Sequence, residues 1–122
     1  NLFKGPRRKR IALRLMHFNE MEQHGHDVYE FAYGYDESSP QHWRTDSLYV
    51  DAESLWELGP YLNRVFPAFA YYGPQRVTVE QWKAVREACL EKEPTRRAFF
   101  DGVEQWLVES PEPRCDFWIL GV

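Results

Sequence analysis

The chain has 122 residues, 43% of them hydrophobic and 16% aromatic, and carries a formal net charge of −4. That length suits one domain and is too short for two separate cores, while the supply of bulky apolar side chains excludes global disorder. Arg, Glu, Asp or Gly interrupts every apolar run well before the roughly 20 residues that span a bilayer, so no membrane partner is expected.

The charge is segregated along the chain. Residues 1–15 carry +6, residues 16–57 carry −9 with ten acids against Arg44 alone, and residues 58–122 carry −1. Residues 1–9 read as a flexible basic terminus, with Arg7-Arg8-Lys9-Arg10 a solvated charge run. Leu2 to Pro6 has the look of a linker or protease-site remnant. No apolar stretch with a small-residue cleavage site follows, so no secretory signal is expected. One domain then covers residues 10–122.

In chain order, Arg10 to Phe18 predicts a strand with Ile11, Leu13 and Leu15 on one face and Ala12, Met16 and Phe18 on the other. Apolar groups on both faces place it in the centre of its sheet. The polar run Asn19 to Asp27, with Gly25, predicts the loop of an antiparallel hairpin. Val28 to Tyr35 is the second strand, Tyr29, Phe31, Tyr33 and Tyr35 alternating with Val28, Glu30, Ala32 and Gly34. Asp36 to Arg44, with Ser38, Ser39 and Pro40, is loop, and Ser47 to Val50 is a short third strand.

From Asp51 onward, Leu55, Leu58, Leu62, Val65 and Phe66 recur at helical spacing, in a helix that Gly59-Pro60 kinks or splits and Pro67 ends. Phe69 to Val77 is a connector with turn chemistry at Tyr71-Tyr72-Gly73-Pro74. Thr78-Val79-Glu80-Gln81 fits a capping box and opens a helix with Val79, Trp82, Val85 and Cys89 inward and Lys83, Arg86 and Glu87 outward. Pro94 and Thr95 open another, striped by Phe99, Val103, Trp106 and Leu107 and ended before Pro111 and Pro113. Cys115 to Leu120 is a final strand. Strands, then helices, then a strand predict an α+β domain: an antiparallel or mixed sheet, N-terminal hairpin plus C-terminal strand, covered by about three helices.

Cys89 and Cys115 lack CxxC spacing or a nearby His and read as reduced, partly buried thiols, which favours the cytoplasm. His24-Gly25-His26-Asp27 with His17 is the one metal-like constellation. A small metal-dependent hydrolase on His17, His24 and His26 is therefore an alternative, but helical i,i+4 spacing and paired cysteines are missing and surface histidines are expected. Neither Gly-x-Ser-x-Gly, GxGxxG nor the Walker pattern occurs, so neither catalysis nor a nucleotide or other cofactor is expected. The negative segment repels nucleic acid and attracts a cationic protein. Aromatic residues (Tyr29, Tyr33, Tyr35, Trp43, Tyr49) are interleaved with its acids. The expected contact surface consists of Glu20, Glu22, Asp27, Asp36, Glu37 and Asp46, with Trp43 as the anchor, on the hairpin loop and the 36–46 loop.

The run Phe69-Ala70-Tyr71-Tyr72-Gly73-Pro74-Gln75-Arg76-Val77-Thr78-Val79-Glu80-Gln81-Trp82 and the ending Phe117-Trp118-Ile119-Leu120-Gly121-Val122 resemble immunity proteins of bacterial contact-dependent inhibition and related polymorphic toxin systems. The resemblance implies a cytoplasmic, non-catalytic inhibitor that binds the C-terminal domain of a cognate toxin, commonly a nuclease with a basic active site. Such proteins have many folds, so it carries over no site residue. The free chain is expected to be a monomer or weak homodimer. A self-associating accessory subunit, with exposed aromatics as its dimer contact, is the other alternative.

Overall fold

In the computed structural model, which describes residues 12–38 and 42–121, five strands form one antiparallel sheet. They are β1 (Leu15–Met16), β2 (Val28–Ala32), β3 (Leu48–Asp51), β4 (Gln75–Thr78) and β5 (Asp116–Gly121), in the spatial order β1-β3-β2-β5-β4. The architecture is α+β. Because side chains alternate along a strand, the register sorts the residues into two faces. Phe31 lies opposite Leu48 and Ile119, and Val77 opposite Phe117, so these share one face; Glu30 lies opposite Tyr49 and Leu120 on the other.

Four helices bury the first face: α2 (Ala52–Glu57), α3 (Gly59–Val65), α4 (Val79–Lys92) and, after a 3-10 turn at Pro94–Arg96, α5 (Arg97–Val108). With no second sheet available, aromatic rings fill the space between layers. Trp82 from α4 lies within 5.4–6.3 Å, centroid to centroid, of Phe31, Phe99, Phe100 and Phe117. Tyr33 stacks on Trp106 at 4.2 Å and its hydroxyl donates to the Trp106 carbonyl. The helix starts follow from sequence. Asp51 accepts from the Ser54 amide at the start of α2, and Thr78 and Gln81 close the capping box of α4 reciprocally at 3.0 and 2.8 Å. Arg86, expected to point outward, clamps α4 to α5 through Asp101 and Glu104.

The N-terminal region departs from expectation. Only Leu15–Met16 is strand, and it is an edge strand paired with β3, not a central one paired with β2. Where a hairpin loop was expected, Phe18–His24 forms a helix, α1. Its apolar signal is the single pair Phe18 and Met21, three apart, too short to register as periodicity. The Glu20 carboxylate accepts the His17 amide and closes the first turn. Met21 then seals a second cluster, with Met16, Val28 and Tyr49, on the face opposite the four helices. The strand expected over Val28 to Tyr35 ends at Ala32. The 69–77 connector is shorter than read, because Gln75–Thr78 pairs with β5 as the other edge. Cys115 is exposed, whereas Cys89 is buried, and that burial raises its thiol pKa. Arg10, Ile11, the basic terminus, Ser39 and Pro40 lie outside the described residues.

The β4 edge is partly closed by its own chain. The Gln75 side-chain NH2 donates to the Arg76 carbonyl, and the Gln81 side-chain oxygen accepts the Thr78 backbone amide.

Across the helical layer the Tyr61 hydroxyl donates to Glu93 at 2.7 Å, and Arg96 bridges Glu93 and Glu57. Burial, and then the Glu93 carboxylate, push the Tyr61 phenol up to about 12. A phenol whose folded pKa exceeds its unfolded value, near 10, adds stability that is whole below pH 10 and vanishes as pH rises through about 12. Tyr61→Phe is therefore expected to lose less stability than the wild type between pH 9 and pH 11.5, as read from urea midpoints at the two values.

Candidate functional site

Of the ten acids in the negative segment, Glu20 closes the first turn of α1 while staying exposed, and three others are at least partly buried in the fold. Asp51 caps α2, Glu57 pairs with Arg96, and Glu30 is fully buried on β2. Along β2 Glu30 alternates with Tyr29 and Phe31, and it does not add to the surface charge. Its carboxylate instead accepts the Trp43 amide at 2.8 Å, the Arg44 amide at 3.1 Å and the Ser47 hydroxyl at 2.7 Å. Charge-assisted bonds of this kind are the strong ones. They fasten the 42–47 segment to the sheet.

Trp43 shows the result. Its backbone sits at φ +65°, a conformation that a bulky residue rarely adopts, at the point where Glu30 grips its amide. The indole stacks on Tyr49 at 6.2 Å and lies against His26 at 4.6 Å, centroid to centroid. The expected anchor is thus a half-buried lid over the smaller core. Tyr29, Tyr33 and Tyr49, also among the interleaved aromatics, are core residues. Beyond Trp43, the Asp46 carbonyl accepts the Trp106 indole N–H at 2.8 Å and the Arg44 carbonyl accepts the Tyr49 hydroxyl at 2.6 Å. Burial first, and then the Glu30 charge, raise the Tyr49 pKa above the ordinary phenol range.

The six carboxylates of the expected contact surface are all exposed, and none forms an ion pair among the described residues. Arg44, the one base within the segment, donates to the Gly34 carbonyl instead. Asp36 accepts both the hydroxyl and the amide of Ser38, which hold its carboxyl below the usual range. The six do not form one tight cluster. Since Val28 lies beside Asp51 and Phe31 beside Leu48, Asp27 and Asp46 sit at opposite ends of the β2–β3 pair, about 20 Å apart at a rise of ~3.3 Å per residue. Asp36 and Glu37 follow β2 at the Asp46 end, and Glu20 and Glu22 ride on α1, which packs against β1 and β3. A usual interface, ~800 Å² per partner or on the order of 30 Å across, contains that span.

Asp27 belongs to a different feature, one that the sequence reading did not find. Two hollows of about 580 and 360 Å³ share the walls Tyr29, Trp56, Tyr71 and Tyr72; Gly59, Pro60 and Asn63 complete one, and Asp27, Val28, Ala52 and Gly121 the other. Trp56 is 61% exposed and Tyr72 95% exposed. The walls are set by tight packing. Gly73, at φ +52°, lies so near the end of β5 that an added Cβ would come within 2.7 Å of the Gly121 amide, and one on Gly121 within 2.8 Å of the Tyr71 carbonyl. Only paired glycines let the Tyr71-Tyr72 turn sit flat on the sheet. The Trp56 indole donates to the Tyr29 hydroxyl at 3.3 Å. A signal was present: Trp56 falls between Glu53 and Glu57, off the Leu55-Leu58-Leu62 stripe, where a large apolar ring has no core to fill.

A third hollow, about 570 Å³, lies between the start of α4 and the end of α5, lined by Lys83, Glu104, Val108, Glu112 and Arg114 among others. His17 precedes α1, His24 ends it, and His26 is taken up by Trp43. Among the described residues no three His, Cys, Asp or Glu side chains gather into a metal-binding set. No helix among them is long and apolar enough to cross a membrane. Comparison of the chain with protein-family models, with curated proteins and with solved structures finds no match.

Proposed function

We propose that this chain is a non-catalytic binding protein that neutralises a basic partner in the cytoplasm, as an immunity protein neutralises its cognate toxin domain. The observation that carries this reading is the set of exposed carboxylates, Glu20, Glu22, Asp36, Glu37 and Asp46, that have no counter-charge among the described residues. Unpaired surface charge of one sign makes the compact state slightly less stable and serves association. Carboxylates on a fastened loop can take positions that a nuclease reserves for substrate phosphates, and steering raises the rate of encounter. The resemblance of the 69–82 and 117–122 runs to toxin-immunity proteins supports the same reading.

The test reverses Glu22, Asp36, Glu37 and Asp46 to lysine, moving the formal net charge from −4 to +4. All four side chains are exposed, so the thermal midpoint is expected to change little. With wild type and variant as baits in a lysate of the source cells at low salt, a basic protein is expected to be retained by the wild type and lost from the variant. Association of that protein is expected to slow at least tenfold for the variant, with the salt dependence of the rate abolished. Equal capture by both baits would remove the proposal.

A further inference from the structure

Four aromatic residues and one acid, Tyr29, Trp56, Tyr71, Tyr72 and Asp27, line the double hollow, and no basic residue lines it among the described residues. Aromatic faces present negative charge to whatever lies on them, and Asp27 has no ion-pair partner among the described residues. Glu53, exposed one turn before Trp56 on α2, adds to the same field. The complementary group is flat, cationic and only weakly hydrated. Arginine meets that description better than lysine, whose compact ammonium is strongly hydrated and cannot stack. From this charge complementarity we infer that the Trp56–Tyr72 groove receives an arginine side chain of the partner protein, the guanidinium lying on the rings with Asp27 as its counter-ion.

Preorganisation supports the assignment. Gly73 and Gly121 fix the backbone of the Tyr72 turn against the sheet, and the Tyr29 hydroxyl holds the Trp56 indole by its N–H while most of the side chain stays exposed. Burial raises the Tyr71 phenol pKa, so that ring stays neutral and adds no charge of its own. An indole already held, and a turn whose backbone is already fixed, lose less freedom when a ligand arrives. The inference rests on the protein-binding reading but uses residues that the four-lysine variant leaves untouched.

The experiment titrates the full chain with N-acetyl-L-arginine methylamide, following indole N–H signals by two-dimensional NMR. Its neutral isostere, the citrulline derivative, serves as the comparison. Five tryptophans give five indole signals, and Trp56→Ala identifies its own by deletion. With the arginine probe the Trp56 signal is expected to move and saturate in the millimolar range. The citrulline probe should bind at least threefold more weakly, as should Asp27→Asn toward the arginine probe, and Tyr72→Ala roughly tenfold more weakly. Trp56 and Tyr72 are exposed, so these variants should fold, and the four-lysine variant should bind the probe undiminished. Equal binding of both probes, an unaffected Asp27→Asn, or shifts centred on other indoles would overturn the assignment. So would movement of the Trp56 signal with protein concentration alone, which would make the groove a contact between copies of the chain.

Discussion

Replacing Glu30 with alanine is expected to lower the unfolding free energy by about 3–5 kcal/mol, a loss of roughly 10–20 °C in the thermal midpoint. The change strands three donors at once, the Trp43 and Arg44 amides and the Ser47 hydroxyl, and Ser47 is only 1% exposed. Each buried donor left without an acceptor costs about 1–3 kcal/mol, and water entering the vacated space recovers part of that. Glu30→Gln keeps the shape but turns an NH2 group toward groups that are themselves donors, so it should fall between the two. The loss should be visible locally. Without the grip on its amide, Trp43 has no reason to hold φ +65°, and its stacking on Tyr49 should loosen, as read from its indole signal and near-ultraviolet dichroism. A loss below about 1 kcal/mol would mean that the 42–47 segment is fastened by the Trp106 and Tyr49 contacts instead.

Trp82→Ala is expected to cost about 3–5 kcal/mol, the range for removing a large ring from a closed core. The residue is 1% exposed and touches both layers, reaching Phe31 and Phe117 on the sheet and Phe99 and Phe100 on α5. Rings cannot flow into the space that it leaves, since each is held by others. Trp82→Phe should cost far less, about 1–2 kcal/mol. The indole N–H has no hydrogen-bond acceptor among the described residues, so the smaller ring also removes a desolvated donor. Urea unfolding of the three proteins checks the order. A phenylalanine variant as unstable as the alanine one would show that the shape of the indole, and not the volume filled or the donor removed, governs this position.

The helical half of the chain was legible because its signals are local and repeated. Leu55-Leu58-Leu62, the Thr78/Gln81 box, the Phe99-Val103-Trp106 stripe and the break at Gly59-Pro60 each depend on residues a few positions apart, and each stands where it was read. The N-terminal third was misread because its structure is set at long range. Leu15 and Met16 become strand only because Val50 and Tyr49 lie beside them, more than thirty residues away, and α1 is only seven residues long. Glu30 was legible as one of ten acids and as a position in an alternating strand, but not as a buried group. A carboxylate that staples a loop has the same sequence signature as one facing water, and only the donors arriving from Trp43, Arg44 and Ser47 distinguish them. The exposed acids were legible as charge, but their spread along the β2–β3 pair depends on register. The aromatic groove was within reach at Trp56 yet not at its opposite wall, where two glycines far apart in the chain bring Tyr72 to it.

The self-closed margin of β4 bears on how such a domain can be recognised. With the Arg76 carbonyl and the Thr78 amide already engaged by Gln75 and Gln81, an incoming extended segment would meet a ladder missing some of its rungs, and fibre-like stacking is discouraged by the same device. At this margin, recognition of a partner would then fall to side chains on helices, loops and ring faces. Main-chain pairing accepts almost any sequence, whereas side-chain contacts change with every substitution, so a domain with a blunted border can acquire a new partner, or abandon an old one, without altering its scaffold.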